Sequence, residues 1–200
     1  MSAFVPRRAF FSAVLLAGAT GCTRLYYASM EKFGIEKRDI LVDRIQDGRK
    51  DQEKAKEQFK DALEAFQALT GFQGGDLEKT YRKLNSEFES AEDRAKKVKE
   101  RIQSIEKVAA DLFEEWEGEI AQMKNAELKA SSRRLLADTR KRYQPLIAKM
   151  KQAEARMQPV LEVFRDQTLF LKHNLNARAI QSLKDSAVQI DARVTRLVKD

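Results

Sequence analysis

From Leu77 the apolar residues advance by four and three without a miss through Tyr81, Leu84, Phe88, Ala91, Ala95, Val98, Ile102, Ile105, Ala109, Leu112 and Trp116. A seven-residue repeat of this kind lays one continuous apolar stripe along one helix face, as a left-handed coiled coil requires. After Trp116 the stripe slips to Ile120 and Met123, and Gly118 weakens the helix locally. Three other segments repeat the pattern less strictly. The first carries Ala55, Phe59, Ala62, Phe66 and Leu69; the third Leu146, Met150, Ala153, Met157, Val160 and Phe164; the fourth Ile180, Leu183, Ala187, Ile190, Val194 and Leu197.

Turn residues separate these stretches. Gly71-Phe72-Gln73-Gly74-Gly75 ends the first helix, and Asp76 is placed to cap the second. Lys124-Asn125-Ala126 divides the second from the third, and Asn176 is an N-cap for the fourth. Short turns make neighbouring helices antiparallel, so facing residues follow from reflecting sequence numbers about each turn. Reflection about the glycine turn sets Leu41 near Ser104; about Asn125, Ile105 near Pro145; about Leu175 and Asn176, Met157 near Val194. Four helices then overlap over roughly 41–69, 76–105, 145–175 and 177–200, each bound good to a few residues. The remainder, about 106–144, projects as a helical hairpin with arms of about 28 Å at 1.5 Å per residue.

The predicted fold is therefore all-α: an elongated antiparallel four-helix bundle or coiled coil with a projecting helical hairpin. Pro145 falls where bundle gives way to hairpin and predicts a bend, and Pro159 a milder one. The first helix starts either near Asp39, after a break at Gly34, or near Tyr26, in which case it continues beside the hairpin as a third strand of the coil.

Composition agrees with long amphipathic helices in one domain: 34% of the 200 residues are charged, with eight glycines and three prolines. The formal charge is +7, and +5 once residues 1–21, with their two arginines and no acids, are removed. That modest excess suits anionic lipid or an acidic partner.

Removal of residues 1–21 is expected because they read as an export signal. Arg7 and Arg8 precede an apolar run from Ala9 to Ala17, and Ala19-Thr20-Gly21 leads into Cys22, the only cysteine. One cysteine makes no internal disulfide, so lipidation of Cys22 as the mature N-terminus accounts best for its placement. The alternative is an ordinary cleaved signal followed by a chance cysteine. Sec export is the first choice, although Arg7-Arg8-Ala9-Phe10-Phe11 also resembles a twin-arginine signal. The apolar run is too short for a spanning helix of about 20 residues. Residues 22–40 form an anchor-proximal segment and 41–200 the helical body. Export argues against nucleic acid as the ligand, and Thr23, in place of aspartate, fits outward sorting to an outer membrane facing the periplasm.

Candidate chemistry is sparse. His173 lies at a turn beside Lys172 and Asn174, where helix termination explains it without a serine or cysteine partner. Glu114, Glu115, Glu117 and Glu119 spread over several faces of one helix and read as solvated charge rather than a metal site. The glycine turn lacks the ending that cradles phosphate. No catalytic residue, metal or cofactor is expected.

The densest basic stretch runs from Lys129 to Arg156. Reflection places Glu117 near Arg133, so the acidic arm of the hairpin satisfies Arg133 and Arg134. Arg140, Lys141 and Arg142 fall opposite Val108, Ala109 and Ala110. They either meet anionic head groups or an acidic partner, at about 1 kcal/mol per basic residue near a charged membrane, or form a solvated face. Trp116 reads as a packing anchor. Phe72 is either an exposed partner contact or a lid over the bundle end.

At Lys32-Phe33-Gly34-Ile35-Glu36-Lys37-Arg38-Asp39-Ile40-Leu41-Val42-Asp43 and again at Phe170-Leu171-Lys172-His173-Asn174-Leu175-Asn176-Ala177-Arg178-Ala179-Ile180, the chain resembles a bacterial family of coiled-coil lipoproteins catalogued as a domain of unknown function. The resemblance spans essentially the whole mature chain. It implies a helical envelope protein and carries no activity, substrate or catalytic residue. The expectation is a non-enzymatic envelope lipoprotein, held to the membrane through its N-terminal lipid and acting as an interaction scaffold or spacer. Its protein partner is not identified by the sequence, and homo-oligomerisation is left open. The alternative is a peripheral protein that binds or remodels lipid.

Overall fold

Asp76, Asn125 and Asn176 each sit immediately before a helix with a short side-chain oxygen free to accept from the first turn. In the computed structural model, which describes residues 36–199, all three do so. Asp76 accepts the Lys79 N–H at 3.0 Å, Asn125 those of Glu127 and Leu128 at 3.0 Å, and Asn176 that of Ala179 at 3.0 Å. The helices are α1 (Lys37–Thr70), α2 (Leu77–Gln122), α3 (Ala126–Ala155), α4 (Met157–His173), α5 (Ala177–Ser182) and α6 (Lys184–Lys199). No strand occurs among the described residues, and the fold is all-α. The expected signal segment 1–21, Cys22, Gly34 and the alternative start near Tyr26 lie outside the described residues.

Between α1 and α2 the Gly71 N–H donates to the Gln67 carbonyl at 2.9 Å and that of Phe72 to Leu69 at 3.2 Å. Gly75 then takes φ +107°, a backbone conformation open to glycine, and redirects the chain into α2.

The two later interruptions have local causes. α3 stays helical through Pro145, where the sequence predicts a bend, and the helix is interrupted at Arg156, just before Pro159, where it predicts only a milder one. Pro159 offers no N–H to the Ala155 carbonyl and its ring crowds that oxygen, so the ladder opens immediately before it. The predicted fourth helix also divides, at Leu183. There the Ser182 hydroxyl donates to the Ala179 carbonyl at 2.7 Å, and the Leu183 N–H turns to Ile180 at 3.1 Å. A side chain has taken the acceptor that the α-helical ladder needs.

The helices pack through the stripes that the sequence marks. Phe66 of α1, Phe88 of α2 and Phe164 of α4 meet at the centre. The Phe66 and Phe164 rings stand edge to face with centroids 6.0 Å apart, and Phe88 lies 6.4 Å from Phe164. Phe66 and Phe164 are fully buried, as are Leu84, four residues before Phe88, and Leu171, seven after Phe164; each such side chain stabilises the fold by about 1.5–3 kcal/mol. On α6, Ile190, Val194 and Leu197 turn inward. Gln67 donates to Asp191 at 3.1 Å and Arg193 to the Pro159 carbonyl at 3.2 Å, tying α6 to α1 and α4.

Closer to the start of α1, three helices meet at Gly48. A methyl group there would stand 2.6 Å from Met150 Cε and 3.0 Å from Ile105 Cδ1, so α1 passes over α2 and α3 at a distance only glycine permits. Gln52 donates to the Met150 carbonyl at 3.1 Å, Arg101 pairs with Asp51 at 2.9 Å, and Arg44 bonds Ser104.

The α2 stripe also drifts. Val98, Ile102, Ile105 and Ala109 are buried as the repeat demands, but the next buried residue is Phe113, while Leu112 and Trp116 are half-buried. A helix of 3.6 residues per turn gains about 20° per heptad on a 3.5-residue repeat, and a second four-residue step absorbs it.

Candidate interaction surfaces

The α2–α3 hairpin carries most of the residues singled out from sequence. Phe113 and Tyr143 meet edge to face, 5.6 Å apart. Arg140 lies over the Phe113 ring at 5.1 Å and pairs with Glu117 at 2.6 Å. The Trp116 indole N–H donates to Ser132 Oγ at 2.8 Å, so this residue is a tethered edge of the seam rather than a buried anchor. Burial, and after it the charge of Glu106, pushes the Tyr143 phenol up to about 12. The hydrogen bond from Arg140, followed by its charge, holds the Glu117 carboxyl below the usual range.

Arg140 is thus not the unpartnered cation that reflection made it. Glu117 reaches Arg140, seven residues beyond Arg133, whereas Trp116 meets Ser132 within two residues of the reflected position. Side chains on a helix lean toward its N-terminus. On antiparallel helices, two long charged chains therefore meet about a heptad away from where their Cα positions would pair. Lys151–Glu106, at 2.9 Å, and Arg165–Glu92 show the same displacement. Arg133 and Arg134, assigned to the acidic arm by reflection, are exposed and form no ion pair among the described residues. Lys141 and Arg142 are exposed as well.

Concave surfaces among the described residues include two that α3 lines. At the closed end of the hairpin, Met123, Leu128, Ser132 and Leu135 line a depression of about 380 Å³. Leu128 and Leu135, one heptad apart on a single helix face, are 64% and 57% exposed. The other is a groove of about 450 Å³ between α1 and α3, bordered by Arg49, Gln52, Glu53 and Lys56 on one side and by Arg142, Pro145, Leu146, Lys149 and Met150 on the other. Neither was found from sequence. Gly48, an isolated glycine inside a helical pattern, was the available signal for the close crossing beside the groove.

Phe72 is half-buried at the turn between α1 and α2. His173 is exposed in the last turn of α4, where the Asn174 side chain caps the helix by donating to the Phe170 carbonyl at 2.9 Å. Glu114, Glu117 and Glu119 are exposed and Glu115 is half-buried. Among the described residues, no three His, Cys, Asp or Glu side chains converge as a metal site, and no helix is long and apolar enough to cross a membrane.

A family model described as protein of unknown function (DUF2959) matches residues 26–200. No curated protein matches the chain, and no solved structure matches it.

Proposed function

We propose, since the chain belongs to the family DUF2959 and that description brings no activity with it, that this protein is a non-enzymatic interaction scaffold of the bacterial envelope. It is held to a membrane by lipid on Cys22 and captures a protein partner at the closed end of its hairpin. The observation that carries this reading is the pair Leu128 and Leu135, exposed beside the depression that also contains Met123. Apolar side chains rimmed by polar ones, as these are by Lys124, Asn125 and the two serines, are the usual composition of a protein contact. The N-terminal pattern that ends at Cys22 supports the anchor and, with Thr23, a periplasm-facing outer-membrane location.

Replacing Leu128 and Leu135 by Asp changes exposed positions and leaves the seam intact. Crosslinking in intact cells should recover a defined partner with the parent chain and lose it with the double variant, while far-UV circular dichroism stays the same. Equal recovery by the two chains rejects the hairpin end as the contact. The anchor is tested separately by the intact mass of the mature chain, and an unmodified N-terminus rejects it.

A second reading rests on the exposed Lys141 and Arg142. With Arg140 engaged by Glu117, these two are left to attract anionic lipid. Salt-sensitive binding to anionic vesicles that is lost on replacing both by Ala supports it, and absence of binding at low salt removes it.

A further inference from the structure

α6 ends at Lys199, and Leu197 is its last buried residue. Among the described residues, Leu197 also lines the groove of about 450 Å³ between α1 and α3. Its floor is apolar, made by Leu146, Met150, Ala153, Met157 and Leu197. The rim is cationic: Arg49 and Lys56 stand on α1, and Arg142 and Lys149 on α3. Glu53 is the one carboxylate in the lining, and Lys56 pairs with it at 3.3 Å. Arg49, Arg142 and Lys149 are exposed and form no ion pair among the described residues.

These features select an occupant. The volume lies in the range of small-ligand sites, about 300–1,000 Å³, and is too small for a helix about 10 Å across. An apolar floor asks for a hydrocarbon chain, and the two methionines can adjust to its shape. Three cations, on both sides of the groove and without an ion pair among the described residues, ask for an anionic head, which guanidinium groups grip in bidentate fashion.

We propose that the groove binds a single-chain anionic amphiphile, with its acyl chain along Leu146, Met150 and Met157 and its head between Arg49, Arg142 and Lys149. The site is separate from the hairpin end and stands or falls independently of the scaffold reading.

The full chain is titrated by calorimetry with lysophosphatidylglycerol below its micellar concentration. Parallel titrations use lysophosphatidylcholine, glycerol phosphate, and vesicles of phosphatidylglycerol. The expected result is saturable binding of one lysophosphatidylglycerol per chain. The zwitterionic and tail-less analogues should bind at least about tenfold more weakly, the scale of one lost charge-assisted contact. Arg142→Glu with Lys149→Glu should weaken binding by a similar factor, and so should Ala153→Trp, which fills the floor. If either variant loses helicity, Arg49→Glu, at an exposed position on the opposite helix, provides the same test. Failure to saturate, equal affinity for the zwitterion, or indifference to both head and floor variants overturns the proposal. Binding to vesicles without binding to the monomeric amphiphile also overturns it, in favour of adsorption to a membrane surface.

Discussion

Replacing each of two helical glycines by alanine should shift stability in opposite directions. Neither Gly48 nor Gly118 has a positive φ, so the backbone accepts alanine at both, and each substitution gains about 1 kcal/mol of helix propensity. At Gly118 nothing lies within 4 Å of the new methyl group. The gain survives there and should raise Tm by about 2–4 °C for a chain of this size. At Gly48 the methyl would meet Met150 Cε at 2.6 Å and Ile105 Cδ1 at 3.0 Å, well inside the optimal carbon separation of about 3.5–4.0 Å. The methionine end can swing aside, but Ile105 is fully buried and has little room to yield. Overpacking of this kind costs about 1–3 kcal/mol, which cancels or exceeds the propensity gain. Gly48→Ala should therefore be up to about 2 kcal/mol less stable than the parent, and about 1–3 kcal/mol below Gly118→Ala. Denaturant unfolding followed by far-UV circular dichroism, with m-values compared, reads the difference. Adding Met150→Ala to the Gly48→Ala chain should show positive coupling, since the nearest clashing atom is gone. Equal stabilisation by the two alanines would refute the close passage of α1 over α2 and α3.

Phe164→Ala removes the ring shared by Phe66 and Phe88 and should cost about 3–5 kcal/mol, whereas Phe170→Ala, at a side chain 43% exposed, should change stability little; similar unfolding midpoints for the two variants would contradict the aromatic centre. Tyr143 has a folded pKa above its unfolded value, so its contribution is complete below about pH 10 and is lost as pH rises toward 12. The tyrosinate absorbance should show a late alkaline step that disappears in Tyr143→Phe, and its persistence would assign that step elsewhere. Glu117 is shifted the other way: its pairing contributes above the unfolded carboxyl pKa and fades as pH falls through the lowered folded one. In Arg140→Gln, the Glu117 carboxyl resonance should titrate at higher pH than in the parent, and an unmoved midpoint would sever the assigned pair.

What could be read from the chain depended on how local its cause was. Asp76 and Asn176 announce their helices because a cap acts within three residues, and the α2 stripe is visible because each apolar position repeats the same face. The Ser182 interruption is just as local, yet it depends on a hydroxyl choosing one carbonyl, which the apolar pattern does not record. Reflection located backbone neighbours such as Trp116 and Ser132 but misassigned Glu117, because it counted Cα positions and neglected the lean of long side chains. The Gly48 crossing and the cationic groove depend on where three or four separate helices arrive together. No periodicity within one helix encodes how α1, α3 and α6 converge on the groove.

Because α2 runs 46 residues unbroken, lengthening or shortening the hairpin is a quantised operation. Excising one residue turns everything beyond it by about 100° and swings the seam toward water. Excising seven from α2 together with the seven facing them on α3 returns every side chain to almost its former bearing, about 20° off, and draws the tip back by about 10 Å. Chains of this design can therefore differ in reach by whole heptads while keeping the same interior.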